Sequence, residues 1–163
     1  KRGARVLATV GTDEKAVLAR EAGAEAVCVY SRENFTEAAR AFTGGRGMDV
    51  VYDGVGRETF DGSLASLRPR GLLASFGNAS GPVPPVAPLL LSQKGSLFLT
   101  RPTLAHYVAT TAELRARAAD LFAWIADGSL CVRIGATFPL ARTADAHRAL
   151  ESRATTGKVL LLP

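Results

Sequence analysis

The residues that open the first predicted helix combine a hydroxyl, two carboxylates and an ammonium group. They are Gly11-Thr12-Asp13-Glu14-Lys15, directly after an apolar run at residues 5–10. In a dinucleotide-binding fold, an acidic residue at such a strand end accepts hydrogen bonds from a ribose 2′-hydroxyl. In this sequence the residue directly after the strand is Gly11 instead. Lys15 could instead meet a 2′-phosphate, aided by the helix N-terminus, although Asp13 would repel that phosphate. Spacing alone leaves a phosphate site and a capped surface helix equally open.

Three later predicted strands also end in loops suited to a ligand. The loops are Asp53-Gly54-Val55-Gly56, Phe76-Gly77-Asn78 and Thr100-Arg101-Pro102. Ligands of open parallel sheets bind beyond the carboxyl ends of the strands, where glycine permits close approach of the backbone. Each loop alone is also an ordinary turn, and Arg101 is either a site cation or a strand-end charge. Three such ends together favour a ligand crevice.

Composition narrows the class of protein. The net charge is +5, but the basic residues are scattered along the sequence, and aromatic residues do not alternate with them. This pattern argues against nucleic acid binding. No run approaches the roughly 20 apolar residues of a membrane helix, and the first residues do not resemble a signal peptide. Cys28 and Cys131 lack metal-ligand spacing, so no metal site is predicted. We therefore expect a cytoplasmic protein without a membrane or nucleic acid partner.

Short β-branched runs alternate with helical segments, which predicts a parallel sheet flanked by helices. The predicted strands are residues 5–10, 26–30, 49–53, 71–76 and 96–100, and the predicted helices are 13–22, 35–42, 58–67 and 111–127. Thr12 and Asn34 are placed to cap the first two helices. A strand at 132–138, a helix at 144–152 and a strand at 158–162 form a separate β-α-β tail. The predicted fold is α/β, a Rossmann-like doubly wound sheet that lacks its first strand and Gly-rich turn, plus this tail.

Four runs together carry a family resemblance. They are residues 51–56 (VYDGVG), 75–81 (SFGNASG), 99–104 (LTRPTL) and 151–157 (ESRATTG). In order and approximate spacing they resemble the quinone oxidoreductase (zeta-crystallin-like) family of zinc-free medium-chain dehydrogenases and reductases. The resemblance covers essentially the whole chain. It implies an NADPH-dependent enzyme that reduces quinones or other conjugated carbonyl compounds.

The resemblance also implies cofactor-binding residues. Lys15, Tyr30 and Arg153 match residues that gather around the adenosine 2′-phosphate in this family. Gly54-Val55-Gly56 matches the loop beside the ribose and pyrophosphate, and Phe76-Gly77-Asn78 matches the segment near the nicotinamide. Arginine and lysine suit phosphate as a planar fork and a point charge. No residue receives a catalytic role.

Domains and partners follow from the same resemblance. Residues 1–131 would be an NADP-binding domain, incomplete at its N-terminus, and residues 132–163 the tail of a GroES-like catalytic domain. The strand from Ser96 to Thr100 would pair with its copy in a homodimer, which covers an apolar sheet edge. His106 and His147 are interpreted as structural or solvated.

Two alternatives stay open. One is an enoyl or 2-alkenal reductase of the same superfamily, which residues outside this chain would distinguish. The other is a nucleotide-binding or dimerisation module without activity of its own, which the missing Gly-rich turn favours for this chain taken alone.

Overall fold

The computed structural model describes residues 1–152 and 155–163, and it divides into two compact units. The first unit is Lys1–Tyr107 and the second is Val108–Pro163. The family resemblance of the sequence predicted a domain boundary after residue 131 instead. That functional division of the chain stays a prediction.

The first unit alternates strands and helices, as predicted. Its strands are β1 Leu7–Val10, β2 Ala26–Val29, β3 Met48–Asp53, β4 Leu67–Ser75 and β5 Phe98–Thr100. Its helices are α1 Asp13–Glu21, α2 Phe35–Phe42, α3 Phe60–Ala65, α4 Pro88–Gln93 and α5 Leu104–Tyr107. Every strand pair is parallel. The predicted α/β class with parallel sheets is therefore confirmed.

Side-chain caps start the first two helices where the sequence predicts. The Thr12 hydroxyl accepts a hydrogen bond from the Lys15 main-chain N–H, 3.3 Å away. The Asn34 side-chain oxygen accepts from the N–H groups of Thr36 and Glu37. Each cap satisfies N–H groups that have no partner within the helix. The first residues of α1 and α2 are thus determined by side chains within three positions of them in the sequence.

The core of the first unit lies between α3 and the sheet formed by β3, β4 and β5. Its buried members are Phe60, Leu64, Leu67, Leu73 and Leu97. Leu64 and Leu73 are almost completely shielded from solvent, at 1% and 0% exposure. Burial of one such leucine contributes about 1.5–3 kcal/mol. This packing fixes α3 beneath the carboxyl end of β3.

Several elements differ from the sequence prediction, among them the short helix α5, Leu104–Tyr107, which was not predicted. Helix α3 spans Phe60–Ala65 rather than 58–67, and β4 already begins at Leu67. Helix α4, Pro88–Gln93, was not predicted because the preceding residues are rich in glycine and proline. Pro88 occupies the start of that helix, where its fixed φ and missing N–H carry no penalty.

The strands of the first unit form two sheets, β1-β2 and β3-β4-β5. A cavity of about 700 Å³ is lined by β1 and by β3 along their length. Side chains of α2 and α3, including Phe35, Phe42 and Ser63, also line it. We name it the strand slot, because its two long walls are strands that each pair with one described neighbour. It matches the position of the strand that the predicted sheet lacks.

The second unit consists of α6 Thr111–Ala126, β6 Ile134–Pro139, a 3₁₀ turn Leu140–Arg142, α7 Thr143–Glu151 and β7 Lys158–Leu162. Thr110 and Glu113 form a capping box at the start of α6. Strands β6 and β7 pair in parallel, so the predicted β-α-β tail is present. Its assignment to a catalytic domain stays a prediction.

None of the helices within the described residues is long and apolar enough to cross a membrane. The cytoplasmic location stays a prediction.

Candidate functional site

Tyr30 and Gly11 bring together the carboxyl ends of β1 and β2. The Tyr30 main-chain N–H donates to the Val10 carbonyl at 3.0 Å, which continues the strand pairing. A Cβ on Gly11 would lie 3.4 Å from the Tyr30 hydroxyl oxygen. The Tyr30 phenol therefore lies in van der Waals range of the Gly11 position, just before the first turn of α1.

Asp13, which would repel an anion at this helix start, is paired with a cation. The Arg32 guanidinium donates to the Asp13 carboxylate from the loop after β2. That hydrogen bond lowers the pKa of the Asp13 carboxyl below its usual value. The negative charge is compensated locally, which weakens the objection to an anion beside Lys15. The sequence did not point to Arg32, because nothing local to either residue signals a pair 19 positions apart.

The loops after β3 and β4 touch backbone to backbone. A Cβ on Gly77 would lie 2.3 Å from the Gly54 carbonyl oxygen, and one on Gly56 would lie 2.6 Å from the Gly81 carbonyl oxygen. Neither distance allows a side chain. Phe76, 55% exposed, lays its ring against Gly54. These glycines make one composite surface from the two loops.

Asp53, buried at 4% exposure, organises the first of these loops. Its carboxylate accepts hydrogen bonds from the Val55 and Gly56 N–H groups at 2.8 and 3.0 Å. The hydroxyls of Thr59 and Ser63 donate to it at 2.9 and 2.8 Å. Its main-chain carbonyl also accepts from the N–H groups of the following loop at residues 76 and 77. Asp53 thus joins both loops to α3.

This arrangement limits what the Gly54-Val55-Gly56 loop offers a ligand. Because the Val55 and Gly56 N–H groups already donate to Asp53, they are engaged within the loop. We therefore expect the loop to meet a ligand through its glycine surface. The saturated Asp53 carboxylate is likewise unsuited to donating a proton.

Hydrogen bonding outweighs burial in setting the charge of Asp53. Burial raises the pKa of this carboxyl, but donation from Gly56, Ser63, Val55 and Thr59 together holds the pKa below its usual value. The carboxylate form is therefore the one that the folded loop binds.

Acid is expected to destabilise the first unit through Asp53. A carboxyl whose pKa is lower in the folded state stabilises the fold above its unfolded pKa, about 3.8. That stabilisation is lost as the pH falls through the folded pKa. Urea unfolding between pH 7 and pH 2 should show it, and Asp53→Asn should lose this part of the pH dependence and about 1–3 kcal/mol at pH 7.

Ser63→Ala serves as the graded comparison, because it removes one of the four donors and keeps the carboxylate. Its acid transition should move to higher pH than that of the wild type. An Asp53→Asn profile that overlays the wild-type profile would contradict the account.

Arg101 lies at the ends of β4 and β5. Its guanidinium donates to the Ser75 carbonyl at 2.7 Å, immediately before Phe76. This contact supports the interpretation of Arg101 as a strand-end charge, which here binds a main-chain carbonyl of the neighbouring strand. Asn78 is exposed on the neighbouring loop.

The predicted site residues thus fall into two clusters in the first unit. Tyr30 lies against Gly11, just before the helix whose first turn carries Lys15, and we call these three residues the first cluster. The loops 54–56 and 76–78 form the second. The strand slot extends from β1 to Gly54 and Val55. Arg153 lies outside the described residues. Whether these residues bind a cofactor stays a prediction.

Comparison with known proteins identifies the family. A model described as zinc-binding dehydrogenase matches residues 22–161. The chain belongs to this family.

Among characterised relatives, the chain is 48% identical to a quinone oxidoreductase of Pseudomonas aeruginosa over 161 residues, 99% of this chain and 50% of that protein. It is 43% identical to a 2-haloacrylate reductase of Burkholderia sp, over 99% of this chain and 49% of that protein. A crystal structure of Escherichia coli quinone oxidoreductase with NADPH has a TM-score of 0.95 and 46% identity, covering 99% of this chain and 50% of that one. The predicted resemblance to quinone oxidoreductases is confirmed. The chain spans about half the length of these relatives and matches their C-terminal half.

The family description implies zinc, and the residues can be tested for it. Within residues 1–152 and 155–163, no three histidine, cysteine, aspartate or glutamate side chains gather as a metal site would require. Zinc sites use three or four such ligands. The described residues do not fit a zinc ion.

Proposed function

We propose that this chain forms the cofactor-binding portion of an NADPH-dependent quinone oxidoreductase. The observation that carries the proposal is the first cluster, where Tyr30 packs on Gly11 just before α1, the helix whose first turn carries the cationic residue Lys15. A site for a ribose with a free 2′-hydroxyl would carry an acid at this strand end. Here the acid on the first turn, Asp13, is paired with Arg32. The NADPH complex of the Escherichia coli relative supports the same cofactor.

Different residues of the chain would contact different parts of the cofactor. Lys15 and Tyr30 would hold the 2′-phosphate, and the loop at 54–56 would lie along the ribose and pyrophosphate. The role of Arg153, which lies outside the described residues, stays a prediction. Phe76, 55% exposed beside the Gly54 backbone, would support the nicotinamide side together with Gly77 and Asn78. When bound, NADPH supplies the hydride that reduces the substrate. The chain's contribution is to orient the cofactor and to exclude water from it.

A homodimer is part of the proposal. Strand β5 is an edge strand of its sheet, and Phe98 on it is 61% exposed. The segment from Ser96 to Thr100 could therefore extend the sheet by pairing with its copy. Such pairing would remove an exposed aromatic side chain and a bare strand edge from solvent.

A reductase of activated alkenes is the second candidate. The observation that favours it is the 43% identity to 2-haloacrylate reductase, which is only slightly below the identity to quinone oxidoreductases. Steady-state assays of the full polypeptide that contains this chain should compare 1,4-quinones, 2-haloacrylates and 2-alkenals. A higher kcat/KM for quinones supports the first candidate, and the reverse order supports the second.

Lys15→Ala tests the cofactor assignment. Loss of a charged hydrogen bond to phosphate costs about 1.5–3 kcal/mol, so the Kd for NADPH should rise about 10–100-fold while that for NADH stays unchanged. Isothermal titration calorimetry with both cofactors measures the difference. Arg20→Ala, which removes a cation from the other end of the same helix, should leave both affinities unchanged.

Two results would contradict the proposal. Equal affinity of the wild type for NADPH and NADH would remove the 2′-phosphate assignment. Absence of binding to either cofactor at millimolar concentration would favour the module without activity of its own.

A further inference from the structure

Ser80 fastens the two loops of the second cluster to each other. Its hydroxyl donates to the Val55 carbonyl at 2.8 Å and accepts from the Glu58 main-chain N–H at 3.0 Å. Its own N–H donates to the same Val55 carbonyl, also at 2.8 Å. The Arg57 guanidinium donates to the Ser80 carbonyl at 2.7 Å. Every polar group of Ser80 is therefore bonded to the loop after β3.

Main-chain hydrogen bonds, from the Ala79 N–H to the Gly54 carbonyl at 3.3 Å and from the Arg57 N–H to the Gly81 carbonyl at 3.1 Å, also join the two loops here. Their contact is made largely by glycines, with Gly77 against Gly54 and Gly81 against Gly56, so no side chains interlock there. Glycine backbones lose much conformational freedom when they are ordered. Ser80 adds four hydrogen bonds to those from Ala79 and Arg57, two of the four through its hydroxyl, and so contributes much of the ordering. Asp53 holds the two loops together where they leave β3 and β4, and Ser80 holds them together farther along, at Val55 and Glu58.

We infer that Ser80 is a positioning residue for the ribose–nicotinamide half of the cofactor. This inference rests on the proposed function. By tying the segment at 76–81 to Val55, Ser80 presents the two loops as one preformed surface. A ligand that touches both loops then pays less ordering entropy on binding. A ligand that reaches only the first cluster gains nothing from Ser80.

That difference gives a sharp test in the full polypeptide that contains this chain. NADPH spans both clusters, whereas 2′,5′-ADP carries only the adenosine end with its 2′-phosphate. Ser80→Ala should raise the Kd for NADPH about 5–10-fold, the effect of losing one hydrogen-bonding group. The Kd for 2′,5′-ADP should stay within about twofold, and the fluorescence anisotropy of the bound nicotinamide should fall.

Three variants complete the design. Ser80→Thr keeps the hydroxyl and should restore the NADPH affinity. Ser92→Ala removes an exposed serine hydroxyl from α4 and should change neither affinity. If Ser80→Ala fails to fold, Arg57→Ala removes the bond to the Ser80 carbonyl and gives the same comparison of two ligands.

The outcomes separate the two claims. Failure of the wild type to bind NADPH would overturn the proposed function. If the wild type binds but Ser80→Ala retains its NADPH affinity, the positioning role alone is overturned. Equal weakening of both ligands would also overturn it, because that pattern indicates general damage to the fold.

Discussion

Gly77→Ala is expected to lower the free energy of unfolding by about 2–3 kcal/mol and to weaken NADPH binding about 30–100-fold. The added Cβ would lie 2.3 Å from the Gly54 carbonyl oxygen and 2.8 Å from the Gly54 Cα. Both obstacles are backbone atoms, so no rotation of a side chain can relieve the overlap. The two loops must separate, and the surface proposed to hold the nicotinamide side is lost. Calorimetric titration and urea unfolding measure the two effects.

The matched control is Gly23→Ala. Gly23 has φ of +95°, and a Cβ there meets nothing within 4 Å. Its replacement costs about 1 kcal/mol through backbone strain, without crowding any neighbour. We expect NADPH affinity to be unchanged in this variant. Wild-type affinity in Gly77→Ala would mean that the contact between the loops does not shape the cofactor site.

Attachment of a further β-α segment ahead of Lys1 is expected to slow amide hydrogen exchange in β1 and β3 by about 100-fold. The strand slot, about 700 Å³ in volume, has β1 as one long wall and β3 as the other. A strand between them would hydrogen-bond to both and join the two sheets into one. When the effective concentration of the attached segment is about 100 times its Kd, the segment stabilises the folded state by about 2.7 kcal/mol. This free energy corresponds to the expected slowing of exchange by about 100-fold.

The side chains around the strand slot indicate how the segment would pack. Phe35 and Phe42 of α2, with Ser63 of α3, belong to the two helices that line the slot. A right-handed crossover from the new strand into β1 would place its helix on one face of the joined sheet. The inserted strand should therefore be apolar and parallel to both neighbours.

The corresponding region of the Pseudomonas aeruginosa relative can supply the segment, since this chain matches only half of that protein. Exchange followed by mass spectrometry should resolve peptides that contain Leu7–Val10 and Met48–Asp53. A control segment with two prolines in its strand cannot donate to both neighbours and should give little protection. Unchanged exchange with the unmodified segment attached would show that the slot does not take a strand.

Sequence alone predicted the features that depend on neighbouring residues. The caps at Thr12 and Asn34 are such features, because a side chain and the N–H groups it binds lie within three residues. The alternation of strands and helices and the parallel pairing follow from local periodicity and from the need to cover both faces of a sheet. Four short runs also sufficed to indicate the family, and with it the candidate residues Lys15 and Tyr30.

Tertiary structure decided the features that join distant parts of the chain. Helix α3 begins later than its sequence pattern suggests, since the Thr59 hydroxyl donates to Asp53 instead of capping the helix. The pairing of Asp13 with Arg32, and of Ser80 with Val55, joins residues 19 and 25 positions apart. Such contacts depend on how parallel strands bring their carboxyl ends together, and no local pattern encodes them. The helix that carries Lys15 could be placed from sequence, but the compensation of the charge beside it required the fold.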